Sequence, residues 1–164
     1  MTFKALRALP LVCAALVSAA CASGGDGPEV TEPTPTGEAA DACRELAGDL
    51  PGRVDGEERV SAADGMEFAA VWGDPAIVLR CGVPRPELLT PGSETYDPTA
   101  DAVEVNGVSW LLEEESGGKR FTTTGREVFV EMTVPDDYAP EVDPLLDVAE
   151  AVEAHIPPDP LYAR

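Results

Sequence analysis

The sequence predicts an α+β domain: a meandering, mostly antiparallel sheet with an N-terminal and a C-terminal helix on one face, closed by one disulfide. Three observations lead there. Helix-period apolar stripes occur only at the two ends of the folded region, short alternating runs punctuated by Gly, Asn and Pro lie between them, and two cysteines remain once an amino-terminal leader and Cys21 at its end are set aside. Of the 164 residues, about 125 are left for the fold, the usual size of one domain with one core.

The leader comes first. Lys4 and Arg7 precede Ala8-Leu9-Pro10-Leu11-Val12-Cys13-Ala14-Ala15-Leu16-Val17, an uncharged apolar run that ends in Ser18-Ala19-Ala20-Cys21-Ala22. These are the charged, apolar and small-residue zones of a secretory signal. The run is shorter than the roughly 20 apolar residues a spanning helix needs, so residues 1–20 are expected to be a signal peptide. Ser18-Ala19-Ala20-Cys21 resembles the lipobox of bacterial lipoproteins, although Ser18 stands where an aliphatic residue is usual. Ser18-Ala19-Ala20 or Ala20-Cys21-Ala22 would equally serve the ordinary signal peptidase. Acylation of Cys21 is the favoured expectation, because the cysteine sits where the apolar zone ends and a tether follows. Several acyl chains acting together would hold the domain at the outer membrane face, at about 0.8 kcal/mol per buried methylene.

Residues 21–39 read as that lipid-anchored flexible tether. From Ala22 to Ala39 the only large apolar side chain is Val30, too little to offset the entropy of ordering, and three prolines favour an extended chain. A single α+β domain is expected over 40–164. Asp41 is a plausible N-cap, and Cys43, Leu46, Ala47 and Leu50 form one helical stripe that Pro51-Gly52 ends. Glu67–Trp72 and Ala76–Cys81 flank the turn Gly73-Asp74-Pro75, and the second run is apolar enough for a central strand. A loop rich in Pro, Thr and Asp then runs to about Asp101. Val103–Val105 and Val108–Leu112 flank Asn106-Gly107, the pattern of a type I′ hairpin. Ser116-Gly117-Gly118 turns the chain into Lys119–Thr124. Val128, Val130, Met132 and Val134 then alternate with Glu127, Phe129, Glu131 and Thr133. Asp143 as cap, Pro144 at the first turn and Leu145, Val148, Ala149, Val152 and Ile156 on one face make the last helix.

The cysteines sort by position. Cys13 lies in the leader and Cys21 is acylated or removed, which leaves Cys43 and Cys81 as an even pair in an oxidising compartment. A disulfide closing a loop of about 39 residues would constrain the unfolded chain by about 4 kcal/mol. The competing role, two ligands of a metal site, lacks partners, since His155 is the one histidine. Charge narrows the partners. The formal net charge is −20, and more negative still once Lys4 and Arg7 leave. Phosphate backbones and anionic lipid headgroups would be repelled, so nucleic acid is not an expected partner.

Trp72-Gly73-Asp74-Pro75-Ala76-Ile77-Val78-Leu79-Arg80-Cys81-Gly82-Val83-Pro84 resembles the signature of an actinobacterial secreted or lipoprotein family, a domain of unknown function numbered 3515. Cys43 with Leu46, Leu50-Pro51 and Arg59 is similar to its opening, and Phe121, Gly125-Arg126 and Val134-Pro135 to its later half. The resemblance implies export, often with a lipid anchor, and a cysteine pair. It implies no activity.

No catalytic, cofactor or metal site is expected. Gly-x-Ser-x-Gly and Ser-x-x-Lys are absent, and both candidate thiols should be oxidised. His155, near a helix end, is expected to meet terminal carbonyls. Glu113-Glu114-Glu115 and Asp136-Asp137 are expected to be solvated beside turns, and Val54–Glu58 and Asp97–Asp101 lack EF-hand spacing. Trp72 and Trp110 should fill the core. Arg80, inside an apolar run, should find a carboxylate or emerge at an edge. Trp72, Asp74 and Arg80 are the candidate functional surface. The expectation is an extracytoplasmic, membrane-anchored envelope domain that binds a protein or wall component without catalysis. The alternatives are secretion without an anchor, a carboxylate enzyme acting on glycan, and a divalent-cation or small-ligand binder.

Overall fold

The computed structural model describes residues 29–61 and 65–162. The expected leader, its cleavage region and Cys21 lie outside them. Among the described residues, no helix is long and apolar enough to cross a membrane.

Among the described residues, two α-helices lie at the ends of the fold. Helix α1 spans Glu38–Asp49 and buries Ala40, Cys43 and Leu46. It starts earlier than Asp41 because Gly37 adopts φ 60° and turns its carbonyl onto the amides of Ala40 and Asp41. Asp41 is therefore not the cap; its carboxylate accepts from Arg44 Nη1 at 2.7 Å. Helix α2 spans Asp143–His155, with Pro144 in its first turn and Leu145, Val148, Ala149 and Val152 buried. Asp143 is already helical, and Val142 holds the cap position without a side-chain bond. Proline at the start removes one orphan donor, which lessens the need for a cap. His155 turns away from its own carbonyls, contrary to expectation: Nε2 lies 3.1 Å from Asp49 Oδ2 and Nδ1 3.8 Å from Glu45, both on α1.

The main sheet has six strands: β3 (Ala69–Trp72), β4 (Ile77–Val83), β5 (Ala102–Val105), β6 (Val108–Glu115), β7 (Gly118–Thr123) and β8 (Phe129–Pro135). Their order is β3-β4-β8-β7-β6-β5, with every neighbouring pair antiparallel. Strands β5 to β8 meander, and the β3–β4 hairpin joins the meander through β8. The loop 84–101 must therefore carry the chain from β4 to the far edge of the sheet. Asn106 at φ 46° and Gly107 at φ 82° form the expected hairpin turn. A second, unexpected hairpin pairs β1 (Arg53–Val54) with β2 (Glu57–Glu58) through Asp55 at φ 50° and Gly56 at φ 81°. The Asp55 amide donates to Asp147 Oδ2 at 2.7 Å, tying this hairpin to α2.

Period-2 alternation sorts the sheet residues. Ala70, Trp72, Ile77, Leu79, Cys81, Trp110, Phe121, Val130, Met132 and Val134 join Leu46, Leu145, Val148 and Val152 in one core under the helices. Both tryptophans are fully buried there, as expected. The Trp72 indole N–H donates to the Pro51 carbonyl at 3.0 Å, whereas Trp110 Nε1 has no hydrogen-bond partner among the described residues. Cys43 of α1 is bonded to Cys81 of β4, with their Cα atoms 5.6 Å apart. The staple runs from helix to sheet through the core.

Candidate functional site

The three residues marked by the sequence do not meet. Trp72 is buried on the helix side of β3, paired with Ile77. Asp74 is exposed in the following turn. Arg80 projects from the opposite face of the sheet, because it follows Leu79 and precedes Cys81, both of which point into the core. Only Arg80 reaches a place where charged groups gather.

That place is the open face. Arg80 is the direct cross-strand partner of Glu131, and Glu113 of Arg120. Between β8 and β7, Glu131 faces Thr122 and Arg120 faces Thr133, so the Arg80–Glu131 and Arg120–Glu113 pairs share one face of the sheet, offset by two residues. Arg80 Nε and Nη2 both donate to Glu131 Oε1, at 2.9 and 2.6 Å. A partly buried guanidinium without a partner would be costly, so Arg80, with its side chain 30% exposed on the open face, demands such a partner. Arg120 is less completely met. Its Nη2 contacts Glu115, but Nη1 is 3.9 Å from Glu113 Oε2 and Nε 4.0 Å from Glu131 Oε2. Glu113 Oε2 is buried without a hydrogen bond among the described residues.

Two chain segments wall this ladder. Residues 29–36 run in extended form over β4: the Thr31 carbonyl accepts from Arg80 Nη1 at 3.2 Å, and the Glu32 carboxylate accepts from the Phe68 amide. Pro35 lies against Gly82, whose φ is 86° and where an added Cβ would come within 2.7 Å of the proline ring. This strap is the carboxyl-terminal part of the segment that composition marks as a tether. Facing it is the start of the 84–101 loop, where Arg85 stacks 5.8 Å above the Phe129 ring. Between strap and loop lies a groove of about 470 Å³ floored by Arg80, Glu113, Arg120, Thr122 and Glu131. A second opening of about 400 Å³ on the other side of the strap shares Arg80, Arg120 and Glu131. Opposite charges in an open polar groove suit a ligand that can exchange with internal ion pairs.

Elsewhere the chemistry is structural. A cleft of about 520 Å³ lies between the 84–101 loop and the carboxyl-terminal tail, but its buried Arg126 is spent on the Ile156 and Gly107 carbonyls, at 2.8 and 3.0 Å. Lys119 is held above the ordinary lysine range chiefly by its hydrogen bond to Glu114. Hydrogen bonds from Thr99 hold Asp97 below the carboxylate range. Burial, and then Glu57 and other acids, push the Tyr138 hydroxyl up; it donates to the Pro75 carbonyl at 2.6 Å. No three His, Cys, Asp or Glu side chains among the described residues are placed to hold a metal ion.

Glu113, Glu115, Arg120 and Glu131 are the functional candidates that sequence reasoning missed. The signal was available in part. Alternation along β6 sends Glu113 and Glu115 to the face opposite Leu112 and Glu114, so the triple-Glu run is not one solvated cluster. Comparison with known proteins adds one relationship. No curated protein and no solved structure matches this sequence. A family model described as a protein of unknown function (DUF3515) matches residues 5–161, nearly the whole chain, and the chain belongs to that family.

Proposed function

We propose that this protein is an exported cell-envelope module of actinobacterial type that works by non-catalytic binding of a protein or wall component. It is held to the membrane through an acylated Cys21, and the open face of the sheet is its binding surface. The observation that carries the reading is the walled groove itself. Its arginines and glutamates face one another across an accessible floor, an arrangement that recognises charge rather than one that aligns a nucleophile and a base. Export is supported by the signal-like leader and by a Cys43–Cys81 bond of the kind that persists in oxidising compartments. The family match, which begins at residue 5 within that leader, agrees with it.

Crosslinking in intact cells through a photoreactive residue at Glu87, on the groove rim, tests the binding. A discrete protein or wall fragment captured by the wild type and lost with Arg120→Gln supports it. Hydrolysis of wall material by the purified protein would replace it with the carboxylate-enzyme reading, and melting that depends on calcium would replace it with the cation-binder reading. Labelling with a radioactive fatty acid, lost in Cys21→Ala, tests the anchor. An unlabelled protein released into the medium would mean secretion instead.

A further inference from the structure

The open face already carries one extended chain, and that chain reveals what its seat accepts. Along residues 30–35 coverage repeats every third position: Thr31 and Thr34 are exposed, while Val30, Glu32, Pro33 and Pro35 are partly covered. Three residues per turn is the period of the polyproline helix, which needs no internal hydrogen bonds and suits Pro33 and Pro35. Glu32 and Pro35 therefore share one side, and both are used. The Glu32 carboxylate accepts from the Phe68 amide, the Pro35 ring fills the space beside Gly82, and the Thr31 carbonyl accepts from Arg80 Nη1 at 3.2 Å. The seat thus takes a carbonyl, a carboxylate and, three residues after the carboxylate, a prolyl ring.

The hold is slight, and the seat is larger than the strap. No residue of 29–36 is buried, and the segment joins neither sheet. Openings of about 400 and 470 Å³ flank it, both lined by Arg80, Arg120 and Glu131, whereas a purely structural cover would be closely packed on its floor. Gly37, at φ 60° with open space where a Cβ would stand, is a free pivot between the strap and α1. Arg80 and Glu131 stay bound to each other when the strap leaves, through two hydrogen bonds that do not involve it.

We propose that this trough seats an extended segment of a partner protein, with an acidic residue followed three positions later by proline, and that residues 29–36 fill the seat until the partner displaces them. The inference rests on the binding-module reading and names the segment it recognises. A chain of formal net charge −20 repels its own copies, which favours a different protein as the source. The strap competes from within the same chain at high effective concentration, so it lowers the partner's apparent affinity.

Fluorescence anisotropy tests it with a labelled, end-capped peptide of residues 29–37 and the full-length protein in mild detergent. The peptide should bind the Glu32→Ala/Pro35→Ala protein, whose own strap is loosened, saturably and at least tenfold tighter than the wild type. A peptide with both of those residues replaced by alanine should bind at least tenfold more weakly. Adding Gly82→Ala to the protein, which fills the space of the proline ring, should weaken the intact peptide by a similar factor. No saturable binding at millimolar peptide, or equal binding of the two peptides, overturns the proposal. So does a strap-exchanged dimer of the wild type in sedimentation, which would give the seat to a second copy. Should the double variant fail to fold, amide exchange on the wild type decides. The Phe68 amide, corrected for its intrinsic rate, should exchange at least tenfold faster than the Cys81 amide, which donates to the Phe68 carbonyl. Equal rates would mean that the strap leaves only when the sheet opens, and would overturn the proposal. If cells yield a crosslinked partner while neither peptide binds, the segment falls and the binding reading stands.

Discussion

Gly82 shows how one backbone angle joins two distant parts of the chain. Its φ of 86° is a conformation that side chains rarely adopt, and the space a Cβ would fill belongs to Pro35. Gly82→Ala should cost about 1–3 kcal/mol, the usual range for a non-glycine residue held at positive φ. Denaturant unfolding measures that cost, and faster proteolytic cleavage within residues 29–36 would report release of the strap. Tyr138 makes a second residue-level prediction. Burial raises its hydroxyl pKa in the folded state, with nearby acids adding to the effect. The unfolded chain should thus lose this proton near pH 10 while the folded chain still holds it. The contribution is fully present below that pH and is lost as pH rises through the folded value. Tyr138→Phe should flatten the alkaline fall in stability, as measured by melting temperature across that range, while losing the bond to Pro75.

At the scale of elements, the bond between α1 and β4 dominates. Replacing Cys43 and Cys81 together by alanine releases a loop of about 39 residues in the unfolded chain and should lower stability by about 2–5 kcal/mol. The check is a shift in denaturant midpoint without a change in the strand and helix signature of the circular dichroism spectrum. Much of this level was legible. The stripe from Cys43 to Leu50, the stripe from Leu145 to Ile156, and the Asn106-Gly107 turn each encode their element locally, and each element forms. The Asp55-Gly56 hairpin carries a turn signal just as strong, yet its strands are two residues each and offer no alternation to read. The insertion of β8 between β4 and β7 was not legible, because pairing of sheet neighbours far apart in sequence leaves no mark on either strand alone. The groove fell between these cases. Arg80 was marked by its apolar neighbours, but its partner Glu131 is named only by register. The strap was hidden for another reason: it docks through single contacts, the Thr31 carbonyl on Arg80, the Glu32 carboxylate on the Phe68 amide and the Pro35 ring on Gly82, and composition alone does not encode these.

Across the whole molecule, charge is unevenly shared. The exposed positions of the two helices hold Glu38, Asp41, Glu45, Asp49, Asp143, Asp147, Glu150 and Glu153, against Arg44 as the one exposed base. These acids lie on the side opposite the groove and repel one another with little screening at low ionic strength. Raising salt from about 0.01 M to 0.15 M shortens the Debye length from roughly 30 to 8 Å. The melting temperature should therefore rise over that interval, since the partly buried Arg80–Glu131 pair is screened far less than the helical surface. A thermal scan at the two salt concentrations checks it, and a fall would mean that the surface ion pairs outweigh the helical repulsion.

The bond between α1 and β4 also decides how the molecule would answer a pull on its amino end. Traction along the strap would first peel Pro35 from Gly82 and Thr31 from Arg80, then unwind α1 as far as residue 43. There the force crosses through sulfur into β4, a strand flanked on both sides by others. The 38-residue separation between the two cysteines is bypassed, so about 130 Å of potential slack stays out of the line of tension. A domain hung from a surface by this end would yield a short length of chain and then hold.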